Sequence, residues 1–325
     1  MKIGIVGCGQ VGASGAYACV LRGVGTELVL IDRNEALAKA QAEDILHATP
    51  FSTPMTVRAG TFEDLDGAGI VVIAAGAAQK TGETRLDLLK RNADIFSNII
   101  PKIFNAAPDA VLLIASNPVD VMTQMVASIA QKSHNIHASR IIGSGTILDT
   151  ARFRALLASH LGISSHSVHA YVLGEHGDSE VLHWSGALVG TIPLTNFAAQ
   201  VGSVVTQQIR NQVDEGVRRA AYRIIQGKGA TWFGIGAGIA RLAQAVIGNE
   251  NALITCSTPT FNIAEGLGPV SLSYPRIINA HGIVQTLVPE MSEGEKEMLS
   301  RSAHILAEAA AEIGVDDIVE ASVAA

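Results

Sequence analysis

"KIGIVGCGQVG", residues 2–12, decides the fold. The apolar run Ile3–Val6 leads into Gly7, Gly9 and Gly12, spaced G-x-G-x-x-G, and then into a helix-like segment over 10–22. With a strand before it and a helix after it, each glycine acquires a purpose. The first permits the turn, the second lets a pyrophosphate approach the backbone, and the third lets the helix pack on the sheet. The helix N-terminus offers free N–H groups and the positive end of its dipole to phosphates. Asp32 closes a second apolar run, Leu28–Ile31, 20 residues after Gly12. A carboxylate there accepts bonds from the ribose hydroxyls and repels a 2′-phosphate, which favours NAD over NADP; Arg33, next door, pulls the other way. The alternative is a strand–helix turn with no ligand.

Working outward, further apolar runs at Ile70–Ala74, Val111–Ala115 and Arg140–Ile142 alternate with helical patterns over 34–47, 84–106 and 118–130. Strands apolar on both faces and joined by helices predict a parallel sheet covered on both sides. Residues 1–143 are thus expected to form a doubly wound α/β sheet of Rossmann type. From 144 the rhythm changes. A helix near 147–160, short strands around 168–173 and 251–274, and helices near 205–226 and 292–313 predict a second, α+β domain over 144–325, to which the motifs and resemblance below give the catalytic and substrate role.

Composition narrows the class. The chain of 325 residues is 48% hydrophobic and 16% charged, ordinary for a globular protein. Its 23 basic and 30 acidic residues give a net charge of −7, with no basic block, which argues against a nucleic-acid or anionic-membrane partner. Cys8, Cys19 and Cys256 have no metal-like spacing and read as buried small hydrophobes. The first residues already read as a strand rather than a signal peptide, and no apolar stretch reaches the ~18 residues of a membrane span, so a soluble cytoplasmic chain is expected.

Two segments carry candidate chemistry. In "GSGTILDTARFRALL", residues 143–157, Asp149 and Arg152 lie three apart and share one helical face, as cavity partners or as an ordinary surface ion pair. "LGEHGDSE", residues 173–180, sets His176 in a glycine-flanked loop after an apolar strand. His160, His166 and His169 are close in sequence, but without a Cys or HExxH pattern they predict no metal site. A third segment, "AAQKTGETRLDLL" at 77–89, follows the buried run at 70–75 and places Gln79, Lys80 and Arg85 around Gly82.

The motifs "GCGQVG", "GAAQKTGETRLDLLKRN", "ASNPVD", "GSGTILDTARF", "LGEHGDSE" and "GKGAT", in this order, resemble the L-lactate dehydrogenases, within the family shared with malate dehydrogenases. The resemblance runs from residue 1 to about 313. It implies hydride transfer between NADH and pyruvate, giving (S)-lactate. His176 matches the proton donor and acceptor, Asp149 its carboxylate partner, and Arg152 the residue that grips the substrate carboxylate. Arg85 matches a mobile-lid arginine that polarises the ketone, with Gly82 as hinge. Asn117 matches an asparagine beside the reacting oxygen, and Thr231 lines the substrate's small end. Around the cofactor the resemblance implies Gly7, Gly9, Val11, Gly12, Asp32, Gly76, Ala77, Ser116 and Asn117. Arg154 and His169 match the positions that bind fructose 1,6-bisphosphate in allosteric bacterial members, and a homotetramer is implied. Ala78 and Thr81 depart from the usual lid, which often has asparagine and proline there. The rival readings are a malate dehydrogenase and a non-catalytic NAD-binding protein. Gln79 opposes the first, because malate enzymes carry an arginine at the matching place, and the joint presence of His176, Asp149, Arg152 and Arg85 opposes the second.

Overall fold

The computed structural model describes residues 1–77, 84–315 and 318, and of Arg85 only the backbone. Strands β1 (Lys2–Val6), β2 (Glu27–Ile31), β3 (Thr56–Ala59), β4 (Ala68–Ile73), β5 (Val111–Ile114) and β6 (Ile141–Gly143) pair in parallel in the order β6-β5-β4-β1-β2-β3. Helices α1 (Gln10–Arg22), α2 (Glu35–Leu46), α3 (Arg85–Ala106) and α4 (Val119–His134) connect them. This is the doubly wound sheet expected for the first half. Its strands alternate between two cores. Ile3, Ile5, Ile70, Val72, Val111 and Leu113 face one layer, while Val6, Val71, Ile73, Leu112 and Ile114 face the other. The period of two that seats each side chain is the reason these runs read as uniformly apolar.

The second half begins with α5 (Ile147–Leu161) and small antiparallel pairs. They are β7 (Val168–His169), β8 (Val172–Leu173), β9 (Val181–Leu182), β10 (Leu188–Val189) and β11 (Ile192–Pro193). There follow α6 (Leu194–Gln200), α7 (Gln207–Arg218), α8 (Ala220–Lys228) and α9 (Phe233–Ile247). A β-meander, β12 (Ala252–Thr260), β13 (Val270–Asn279) and β14 (Gly282–Thr286), precedes α10 (Glu293–Ala311). The meander joins the parallel sheet through Ser257 opposite Gly143, so one sheet of nine strands crosses the molecule.

Three elements differ from the sequence expectation. The helix expected over 205–226 breaks at Arg219 into α7 and α8. Strand β3 buries only Val57 fully, too little alternation to announce itself. Helix α9 was not expected because its start, "FGIGAGIA", carries three glycines, poor helix formers. Those glycines serve close packing. An added Cβ at Gly236 would stand 2.7 Å from Ser14 Oγ, and one at Gly15 of α1 would stand 3.1 Å from Ile239. Ile239, Ala240, Leu242, Ala243 and Val246 of α9 complete the core layer over Ile3, Ile70 and Val72.

The opening glycines divide by space. Gly7 has φ +98°, and a Cβ at Gly12 would lie 1.9 Å from the Gly7 carbonyl oxygen, whereas one at Gly9 meets nothing within 4 Å. Gly12→Ala is therefore expected to destabilise the fold by about 1–3 kcal/mol, while Gly9→Ala leaves stability nearly unchanged and weakens only nucleotide binding. Chemical denaturation paired with NADH titration checks both. Equal stability loss in the two variants would contradict the division.

Candidate active site

Three loops meet where the parallel strands end. After β1, Gly7 donates its N–H to Ile31 O (2.8 Å), and Cys8 N–H donates to Asp32 Oδ2 (2.8 Å). Asn34 N–H donates to the other oxygen, Asp32 Oδ1 (2.9 Å). The Asp32 carboxylate is thus fixed at the end of β2 with lone pairs to spare. Gly9 caps α1 without a side-chain bond, and Val11 follows in its first turn, half-buried. Open space above Gly9, an uncapped helix start and an anchored carboxylate fit a dinucleotide's pyrophosphate and ribose.

After β4 and β5 the chain is clasped by a residue the sequence reading gave no role. Asn92 of α3, 2% exposed, accepts from Ala77 N–H (2.8 Å) and donates to Asn117 O (3.0 Å). Gly76 fits against it, and Ser116 Oγ donates to Ala75 O (2.6 Å). Gly76, Ala77, Ser116 and Asn117 are thereby brought to one edge.

The first turn of α5 supplies Asp149, 2% exposed, which sits near the positive end of the helix. Its Oδ1 accepts from Arg152 Nη1 (2.8 Å), and its Oδ2 lies 2.5 Å from His176 Nδ1. The surface-pair reading of Asp149 and Arg152 is thus replaced by a buried carboxylate with a partly exposed partner on each oxygen. Asp149's charge pushes the imidazole up to about 9 against the effect of burial. Burial pushes the Asp149 carboxyl up in turn, but His176 and Arg152 prevail and hold it below the usual carboxylate range. With Nδ1 engaged, His176 presents Nε2 as the proton-exchanging atom. Glu180, also buried, stands near; burial, then the Asp149 charge, pushes its carboxyl up to about 8. Its backbone carbonyl, with that of Asp178, accepts from Arg218 Nη1, which steadies the loop.

Thr231 lies between α8 and α9, just before Trp232, whose carbonyl accepts from Ser14 Oγ (2.9 Å). Lys228 Nζ sits 3.2 Å from the Trp232 ring centroid, and Gly234 abuts Leu148, next to Asp149. These contacts tie Thr231's segment both to α1 and to the first turn of α5. Gln79, Lys80 and Gly82 lie outside the described residues, as does the side chain of Arg85. The backbone of Arg85 opens α3 behind a capping box of Thr84 and Asp87. Arg154, half-buried, donates from Nε to Ala170 O (2.9 Å) and stacks over Tyr171, and His169 is exposed on β7. Among the described residues, His160, His166 and His169 form no metal-holding group.

The geometry is that of a nucleotide cradle facing a histidine–aspartate pair with an arginine beside it. A family model for the lactate/malate dehydrogenase NAD-binding domain matches residues 1–143, and one for the lactate/malate dehydrogenase alpha/beta C-terminal domain matches 146–314. The chain is 57% identical to an L-lactate dehydrogenase of Thermus aquaticus over 97% of this chain and 100% of that protein. It is 53% identical to one of Allorhizobium ampelinum over 94% and 97%. Among solved structures, a minor L-lactate dehydrogenase from Enterococcus mundtii in a ligands-bound form superposes with TM-score 0.91 at 36% identity, covering 97% of this chain and 99% of that one. A lactate dehydrogenase from a Medee basin deep-sea metagenome library gives 0.90 at 39%, over 96% and 98%.

The His176–Asp149 contact links stability to pH. Because the folded imidazole titrates above its unfolded value of ~6.5, its contribution is complete below about pH 6.5 and is lost as pH rises through about 9. Denaturation of the ligand-free protein is expected to show a decline of about 1–3 kcal/mol across that window, largely absent in Asp149→Asn. Parallel pH profiles for the two proteins would refute the coupling.

Proposed function

Because the chain belongs to the lactate/malate dehydrogenase family, we propose that it is an NAD-dependent L-lactate dehydrogenase interconverting pyruvate and (S)-lactate. The observation that carries the mechanism is the contact between His176 Nδ1 and Asp149 Oδ2. Gly7, Gly9, Val11, Gly12 and Asp32, with Gly76, Ala77, Ser116 and Asn117, would hold the dinucleotide, and Asp32's charge selects NAD over NADP. The chemistry that bound NADH supplies is hydride delivery to the carbonyl carbon of pyruvate. His176 enters protonated, held so by Asp149, and gives its Nε2 proton to the carbonyl oxygen; in lactate oxidation the neutral ring takes that proton back. Arg152, its guanidinium oriented by Asp149, grips the substrate carboxylate through a fork of two hydrogen bonds. Asn117 stands beside the reacting oxygen and Thr231 beside the methyl. Arg85 stabilises the charge that develops on the oxygen as the lid over residues 77–89 closes and excludes water.

The same lid sets the preference for pyruvate. Gln79 is neutral and lies six residues before Arg85. Oxaloacetate would strand its second carboxylate beside Gln79, at about 3–5 kcal/mol; pyruvate has only a methyl there. The expected preference in kcat/KM is about 10² to 10³ for pyruvate, and Gln79→Arg should reverse much of it. NADH oxidation with each acid measures both. Equal efficiency of the native enzyme on the two acids would overturn the lactate reading.

The chain works as a cytoplasmic homotetramer, and no described helix is long and apolar enough to cross a membrane. Arg154 and His169, from neighbouring elements α5 and β7, form the binding half for fructose 1,6-bisphosphate. The effector is expected to lower the KM for pyruvate several-fold, with the gain shrinking at high salt as the charges are screened. Superimposable pyruvate saturation curves with and without it, at several pH values, would dismiss the site.

A further inference from the structure

The mechanism leaves two buried carboxylates beside His176 unused, Glu180 and Asp120, and Asp120 is the one bonded to the histidine's own backbone. Asp120, 2% exposed, stands in the first turn of α4, three residues after Asn117. Its Oδ2 accepts the backbone N–H of His176 (2.8 Å). Its Oδ1, equally buried, meets no protein donor. A small cavity beside it is lined by Gln124, Ser271 and apolar residues of α10, among them Leu306 and Ala310. An aspartate with one satisfied oxygen is an expensive way to accept a single N–H bond. Something beyond folding is needed to explain its charge.

We propose that Asp120 is a positioning residue for the dehydrogenase reaction, tying the backbone of His176 to the first turn of α4 so that the imidazole is fixed relative to the nicotinamide-side loop 115–118. The inference rests on the reading of His176 as the acid–base group. The direct link is short: Asn117, whose carbonyl is clasped by Asn92, is joined to Asp120 by two residues, and Asp120 is bonded to His176. From the other side, Ser302 of α10 holds the same loop, accepting from Glu175 N–H (2.9 Å) and from Ser179 Oγ (3.0 Å). The histidine loop is therefore pinned between the nucleotide-side helix and the last helix.

Asp120's charge also acts on the ring through space. The charged groups facing His176 are Asp149 and Arg152 from α5, Asp120 from α4, and Glu180 from its own loop, with Arg218 of α7 behind Glu180. Asp120 itself faces His176, Glu175 and the Ser257 hydroxyl of β12, which forms no full hydrogen bond yet favours the ionised carboxylate; β13 and α10 bring it no charge. Burial pushes the Asp120 carboxyl up to about 6, so above that pH it is ionised and helps keep His176 protonated.

The test uses the full-length enzyme with NADH and pyruvate. Asp120→Asn keeps an oxygen for the His176 N–H but removes the charge. Turnover at low pH should stay within about threefold of wild type, while the midpoint of the alkaline fall in pyruvate reduction moves down by about half a pH unit or more. Asp120→Ala, which loses the acceptor, should lower kcat about tenfold or more while the KM for pyruvate and the Kd for NADH change little. Asp120→Asn, which keeps the acceptor, serves if Asp120→Ala does not fold. A merely structural carboxylate would lower thermal stability and leave the midpoint in place. An unmoved midpoint in Asp120→Asn overturns the proposal, whereas a wild-type enzyme inert on pyruvate overturns the dehydrogenase reading beneath it.

Discussion

Everything in the catalytic half is arranged around one carboxylate kept out of water. Asp149 is buried and accepts from an imidazole on one oxygen and a guanidinium on the other. Taking three charged groups from solvent is unfavourable, and their mutual attraction restores the loss only while the geometry holds. The burial is thus better understood as orientation than as stability. One anion sets the tautomer of the ring and the tilt of the guanidinium together, so His176 and Arg152, the proposed proton donor and carboxylate anchor, cannot drift apart independently.

The scaffold explains how that anion reaches its place. The end of β6 delivers the chain to α5, whose first turn carries Asp149 near the helix's positive end. The strand pair β8–β9 presents the histidine loop from the opposite direction, and Val172 N–H donates to Thr150 Oγ1 of α5 (2.9 Å), locking strand and helix in register. The nucleotide cradle sits at the ends of β1, β2, β4 and β5, the position where a doubly wound sheet reverses direction and leaves a crevice. The residues proposed for catalysis and nucleotide binding therefore come from loops and from the starts of α1, α3 and α5 beyond the strand ends, while the strands themselves are given over to packing.

What the sequence revealed follows from the range of each signal. Local spacing was enough for the glycine turn, for Asp32, and for Asp149 and Arg152 on one helical face. His176 was conspicuous because glycines flank it after a buried strand. Resemblance then paired His176 with Asp149 across 27 residues, a contact no spacing rule supplies. The clasp by Asn92 and the tie from Asp120 escaped notice because a buried polar residue looks the same in sequence as a solvated one; only its environment distinguishes them. Helix α9 was hidden for the opposite reason. Its glycines read as helix breakers locally, yet they are what lets it lie against α1.

That contact makes the two halves of the chain one folding unit. Residues 233–247 supply part of the apolar layer above Ile3, Ile70 and Val72, and the meander at 252–286 continues the sheet past β6. A ribosome that has released only the first 143 residues has made a sheet with one face partly bare and the β6 edge left open in addition to that of β3. That intermediate is the kind of surface on which nascent chains aggregate, and closing it must wait for synthesis of a helix about 90 residues downstream.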